Sequence, residues 1–391
     1  MYAYKKIMDN IVKNAIEEGR IVGANVLLMR HGKELYSSSH GYADREAGIL
    51  MKRDTIFRMF SMTKPVTAVA VLILAERGKL DLWDSVSKYI PEFAHMQVME
   101  ADGSLKEAER EIRIMDLLTM TSGLTYGDVD CEAAKKMGAL LWQIEQERKA
   151  GHPTDTLGYC RKTAEIPLCF QPGEKWRYGF SADILGGIVE VASGMRFGKF
   201  LENEIFAPLG MRDTGFVVPE EKRERFAVNY EWKEETGRLE PFTEDVLGLE
   251  GYEEGLVFES GGAGLVSTVD DYSRFANMLL QNGQLEGVRI LGRKTVELMR
   301  SNHLNAAQRA SCNWESMKGH GYGCLVRVLE NPGEWGSNAS IGEFGWDGWT
   351  GNYVTMDPTE DMVLLYFIQR CGAGTTEEAR KLRMTAYGAL E

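Results

Sequence analysis

A serine and a lysine stand three residues apart at the head of the longest apolar run in the chain. The stretch reads Phe60-Ser61-Met62-Thr63-Lys64-Pro65, and Val66 to Ala75 follows at once. This spacing predicts the first turn of a buried helix. Pro65 suits an early helical position, because its missing N–H has no intrahelical partner there. Residues three apart share a helix face, so Ser61 Oγ and Lys64 Nζ can meet. The helix N-terminus adds unpaired N–H groups and a partial positive charge. Such a place suits a serine that must become a nucleophile. The lysine serves as its base if burial and neighbours lower its pKa.

The pattern alone is weak, because Ser85-Val86-Ser87-Lys88 repeats it. That copy follows Gly78-Lys79-Leu80-Asp81 and runs into Pro91, which predicts a surface turn. Ser61 differs in opening a long apolar helix.

Composition narrows the remaining options. At 391 residues the chain can bury a large core, with two intimate lobes expected. A net charge of −13 argues against nucleic acid and anionic membrane surfaces as partners. The first residues lack an apolar core of the kind an export signal needs, and Val66 to Ala75 is too short to span a bilayer. A cytoplasmic location is the expectation. The six cysteines are irregularly spaced without C-x-x-C, so free thiols are expected rather than a disulfide framework. The six histidines form no H-E-x-x-H, and neither a metal nor another cofactor is indicated.

Along the chain, Ile7, Ile11, Val12, Ala15 and Ile16 have helical spacing within residues 4–18. Two strands, 24–30 and 33–38, flank a His31-Gly32 turn. A short strand, 56–59, delivers the chain to Ser61. Helical patterns then dominate, including 114–120, a mobile surface helix with flanking loops within 127–165, 184–192 and a helix from Phe197 to Pro208. Residues 231–259 carry ten acidic and two basic side chains, which reads as a solvated loop or an acidic rim over a cleft. Ser260-Gly261-Gly262-Ala263-Gly264 gives tight backbone, and a helix starts at Asp270-Asp271. Strands are expected over 321–328, 345–357 and 362–368, with a closing helix over 376–390. Strands at both ends and helices between them predict an α+β fold. One antiparallel sheet, flanked by helices, is built from both termini (1–70 and 262–391), with a mostly helical lobe (71–261) inserted.

Three segments now fall in order: Ser61-x-x-Lys64, Tyr178-Gly179-Phe180 and Trp346-Asp347-Gly348. Their order and separations resemble those of the serine β-lactamase and penicillin-binding-protein superfamily. The nearest branch is that of class C β-lactamases with related carboxylesterases, D-aminopeptidases and acyltransferases. Asp116 to Leu124, Phe170-Gln171-Pro172-Gly173-Glu174, Ile205 to Met211 and Gly261 to Thr268 extend the resemblance over nearly the whole chain. The resemblance implies that Ser61 is the acylated nucleophile, Lys64 its proton partner, and Tyr178 a general base that later returns the proton. A cationic lysine beside that phenol would leave it partly ionised. It also implies an oxyanion hole from the backbone N–H groups of Ser61 and Trp349.

Two departures bear on substrate. Phe180 replaces the asparagine of the family's Y-x-N, and Trp346 replaces the lysine of K-T-G, while Gly348 is kept. A cation that recognises a carboxylate is therefore lost, and an apolar wall accommodates an ester better than an anion. Esterases of the family often carry such an aromatic there. A serine esterase or acyltransferase is expected ahead of a β-lactamase or D,D-peptidase, and ahead of a non-catalytic binding protein. Its substrate would be a small ester, amide or lactam. A G-x-S-x-G elbow is missing from the sequence, which disfavours a Ser-His-Asp hydrolase. Incubation with a fluorophosphonate should give a single adduct; peptide mapping should locate it on Ser61, and labelling of Ser85 would contradict the reading.

Overall fold

A computed structural model describes residues 2–128, 130–244 and 252–390. An eight-stranded antiparallel sheet forms its centre. The strands are β1 (Gly23–Arg30), β2 (Lys33–Asp44), β3 (Ile49–Leu50), β4 (His320–Tyr322), β5 (Arg327–Leu329), β6 (Phe344–Asp347), β7 (Tyr353–Asp357) and β8 (Met362–Ile368). Their spatial order is β4-β5-β6-β7-β8-β1-β2-β3, so the seam between β8 and β1 joins early and late parts of the chain. There Ala24 faces Ile368 and Arg30 faces Met362. The α+β fold with a sheet from both ends is the one the strand pattern predicted.

β8 is apolar at every position because both of its faces are covered. Met362, Leu364, Tyr366 and Ile368 point into one core, with Met8, Val12 and Ala15 of helix α1 (Tyr2–Glu17). Val363, Leu365 and Phe367 point into the other. That second core holds helix α2 (Thr63–Glu76), whose residues 63–74 are all buried. A helix apolar on every side belongs inside a protein.

Two predicted strands are in fact hairpins. Residues 321–328 split into β4 and β5 because Leu325 takes a left-handed φ of 56° and Gly323 N–H bonds the Val326 carbonyl at 2.8 Å. Residues 345–357 split into β6 and β7 because the chain turns at 348–352, with Gly351 at φ 85°. The turn at His31 (φ 51°) and Gly32 (φ 67°) lies where the sequence placed it.

Helix α3 (Glu132–Lys149) falls inside the stretch expected as a surface helix. It is only half a surface element. Met137, Leu140 and Ile144 are buried against Phe60, Phe180 and Phe258. Within the acidic stretch, Tyr230–Lys233 pairs with Arg238–Pro241. Glu259 is buried and accepts from Gly198 N–H at 2.7 Å, so it is not solvated. Residues 245–251 lie outside the described residues. Among the described residues, no helix is long and apolar enough to cross a membrane, and no group of three His, Cys, Asp or Glu side chains is placed to hold a metal ion.

The closing helix, Glu377–Gly388, is tied to the sheet by a buried ion pair. Arg383 and Glu343 are 4% and 3% exposed. Arg383 Nε donates to Glu343 Oε1 at 2.6 Å, and Thr355 Oγ1 donates to the same oxygen at 2.5 Å. Removing one partner leaves the other charge buried and uncompensated. Arg383→Met should lower unfolding stability by about 3–5 kcal/mol in urea titration; an unchanged midpoint would contradict this reading of the pair.

Candidate active site

The site begins where the short strand Phe57–Arg58 pairs with Val266–Ser267. Met59 N–H then bonds the Leu265 carbonyl at 2.8 Å, and the chain turns sharply. Phe60 takes φ 44°, a left-handed conformation unfavourable for a bulky residue. Packing holds it there. Its ring lies 5.2 Å from that of Trp349, within the cluster built by α3. The turn leaves Ser61 partly exposed and leads directly into α2, with Lys64 fully buried one turn on.

Lys64 Nζ has three oxygen partners: Ser61 Oγ at 3.0 Å, Tyr126 OH at 3.0 Å and the Gly262 carbonyl at 2.8 Å. Burial lowers its pKa to about 7, against the opposing attraction of Asp183 and Asp347. A neutral amine has two N–H donors and one lone pair. The carbonyl can only accept, so it takes one N–H. The Tyr126 hydroxyl can take the second, which leaves the lone pair for the Ser61 hydroxyl.

Tyr178 completes the group. Its hydroxyl receives the Trp346 indole N–H at 3.0 Å, and Ser61 is near enough to influence its titration. Lys64 Nζ lies 4.5 Å from the centre of its ring. Burial nevertheless pushes the phenol above its ordinary range, with Ser61 and Trp346 pulling the other way. The partly ionised phenol expected from a cationic neighbour is not what this site favours. Desolvation outweighs the side chains that favour the phenolate, and the lysine beside it is itself drawn down by burial.

Trp346 projects from β6 and is 1% exposed, and its ring lies 5.6 Å from that of Tyr178. Trp314, part-exposed, packs edge-on to Tyr178 at 4.8 Å. Phe180 is buried behind Tyr126, with ring centres 4.6 Å apart. Gly348 sits where a Cβ would meet the Met59 carbonyl at 2.6 Å, so the end of β6 presses against the turn that carries Ser61. The Trp349 N–H, in the turn after β6, has no backbone acceptor among the described residues. Tyr178 also lines a cleft of about 380 Å³ with Asp130, Cys131, Cys169, Arg177 and Trp314.

The second serine–lysine pattern does not build a site. Lys88 pairs with Asp84 at 2.8 Å, and Ser87 donates to Glu111 at 2.6 Å. Sequence reasoning missed Tyr126, whose only signal was its place just after Ser122-Gly123-Leu124. It also passed over the Gly262 carbonyl, reading that segment only as tight backbone.

Comparison with known proteins places the chain as a whole. The family model described as Beta-lactamase matches residues 8–388. Esterase EstB of Burkholderia gladioli is 35% identical over 378 residues, covering 90% of this chain and 86% of that protein. The solved structure of EstCE1, described as a hydrolase with promiscuous acyltransferase activity, superposes with a TM-score of 0.82 at 27% identity, covering 99% of both chains. Unliganded simvastatin synthase (LovD) of Aspergillus terreus superposes with a TM-score of 0.79 at 22% identity, covering 99% of this chain and 97% of that one, a likeness of fold alone. With the family model spanning nearly every residue, and an esterase relative matched over most of its length, the chain belongs to the β-lactamase family of serine hydrolases.

Proposed function

We propose that the chain is a carboxylesterase working through an acyl-enzyme on Ser61, on small neutral esters. The observation that carries this reading is the 3.0 Å bond between Ser61 Oγ and the buried Lys64 amine, whose pKa is drawn down to about 7, with the protonated Tyr178 phenol packed against the same amine. In acylation, Ser61 Oγ attacks the ester carbonyl and its proton passes to Lys64. The oxyanion is held by the N–H groups of Ser61 and Trp349. The bond to the alcohol breaks, and Tyr178 gives its proton to the leaving oxygen. The phenolate so formed faces the Lys64 ammonium. In deacylation a water adds to the acyl carbon and yields its proton to Tyr178. Ser61 Oγ leaves with the proton held on Lys64, and every group is restored.

The surroundings favour a neutral acyl group. Trp346 places an indole where the family's cation would meet a carboxylate, and Phe180 adds apolar surface behind Tyr126. These walls support an ester ahead of a β-lactam or D,D-peptide. Because EstCE1 is a hydrolase with promiscuous acyltransferase activity, transfer to a second alcohol is the alternative fate of the same acyl-enzyme here. In this reading the cleft lies between a sheet lobe (1–70 and 262–391) and a helical lobe (71–261). The irregular spacing of the six cysteines, without C-x-x-C, favours a reducing, cytoplasmic compartment.

Short-chain p-nitrophenyl esters and a chromogenic cephalosporin, assayed on one preparation, test the proposal. The esters should be turned over and the cephalosporin far more slowly. Ser61→Ala should abolish ester turnover, and Lys64→Ala should reduce it by about 10²–10⁴-fold; retained activity in either variant would overturn the assignment. The pH dependence follows from Lys64, which is a base only when unprotonated. kcat/KM should rise about tenfold per pH unit below the Lys64 pKa of about 7 and level off above it. A flat profile between pH 5 and 8 would exclude Lys64 as the base.

A further inference from the structure

Helix 181–193 carries a buried carboxylate that the mechanism above does not use. Asp183 is 2% exposed. Its Oδ1 accepts the Ser260 hydroxyl at 2.5 Å and the Gly262 N–H at 3.2 Å. Burial pushes its carboxyl above the ordinary carboxylate range, while the Ser260 bond, the field of Lys64 and the Gly262 bond pull it back; both partners are donors, which is the arrangement an ionised carboxylate needs. The carbonyl of the same Gly262 accepts from Lys64 Nζ at 2.8 Å. A Cβ on Gly262 would meet Asp183 Oδ2 at 2.5 Å, so only glycine lets the backbone lie between the two charges. Thr67 Oγ1 donates to the Gly261 carbonyl at 2.6 Å and holds this loop against the lysine's own helix.

We propose that Asp183 is the counter-charge of Lys64, coupled to it across the backbone of Gly262, and that it sets the pH at which the amine becomes a base. Asp183 is a positioning residue: it acts through Lys64, and the inference rests on the esterase reading above. The titratable and charged groups around Lys64 are few. Tyr126 faces it from the loop before α3, Tyr178 from the segment before helix 181–193, Asp183 from that helix and Asp347 from β6. Asp347 already has a cation, Arg327 at 2.9 Å. Asp183 has no ion-pair partner among the described residues within salt-bridge reach, and Tyr159 and Cys160 beside it are held neutral by burial. Lys64 is thus the cation whose field Asp183 feels. Burial alone would push the amine further toward the neutral form, and the carboxylate opposes this.

The test is the acid limb of kcat/KM for a p-nitrophenyl ester. Asp183→Asn keeps the shape but removes the charge. Lys64 then loses its proton more readily, and the limb should move down by about one pH unit. A purely structural role would lower activity or melting temperature at every pH and leave the limb in place, which would overturn the proposal. Should Asp183→Asn fail to fold, Asp183→Glu carries the test. It displaces the hydrogen bonds but keeps the charge, so kcat should fall while the limb stays; a limb that moves down by a full unit would overturn the charge coupling. The wild-type enzyme serves as the separate control. A wild type without esterase activity would defeat the esterase reading itself, whereas an active wild type with an unmoved Asp183→Asn limb would defeat only the role given to Asp183.

Discussion

Burying a lysine amine without a directly bonded carboxylate is the constraint around which this site is arranged. Desolvation disfavours the ammonium, and the protein answers with three oxygens at fixed positions. Each oxygen has its own support. Ser61 is set by the strained turn at Phe60, Tyr126 by aromatic contacts with Tyr178 and Phe180, and Gly262 by Asp183 and Ser260. These supports come from segments far apart in sequence. The fold brings them together by setting the apolar helix α2 beneath the sheet.

This origin explains what was legible in the sequence. Apolar continuity marked α2 and β8, and the serine–lysine spacing marked the head of α2, because these are local signals. Trp346 and Tyr178 could be placed through their motif, but the bond between them depends on how β6 meets the segment ahead of Asp183. Tyr126 gave no comparable signal, since its role comes from reach across space. The left-handed residues Phe60 and Leu325 were invisible for another reason. Neither is a residue that propensity places at positive φ, and tertiary packing overrides propensity at both. The same override turned two predicted strands into hairpins.

The protonation states follow from a balance of burial against neighbours. A motif reading put a partly ionised phenol beside a cation. In the folded site, burial works on both groups at once, drawing the amine down and the phenol up. Near neutral pH the pair is then an amine close to its pKa and a protonated phenol on either side of one hydroxyl. Charge separates only as the reaction proceeds, in a place where fixed dipoles already wait for it.

The seam between β1 and β8 carries a consequence for biogenesis. β1 ends at Arg30, yet its partner begins only at Met362. Until that partner leaves the ribosome, β1 and β2 are a hairpin with one open edge, and α2 lacks part of its roof. Closing so large a loop is slow compared with local pairing. The seam therefore closes late, and the β1 edge has no partner until the last strand of the sheet has been made.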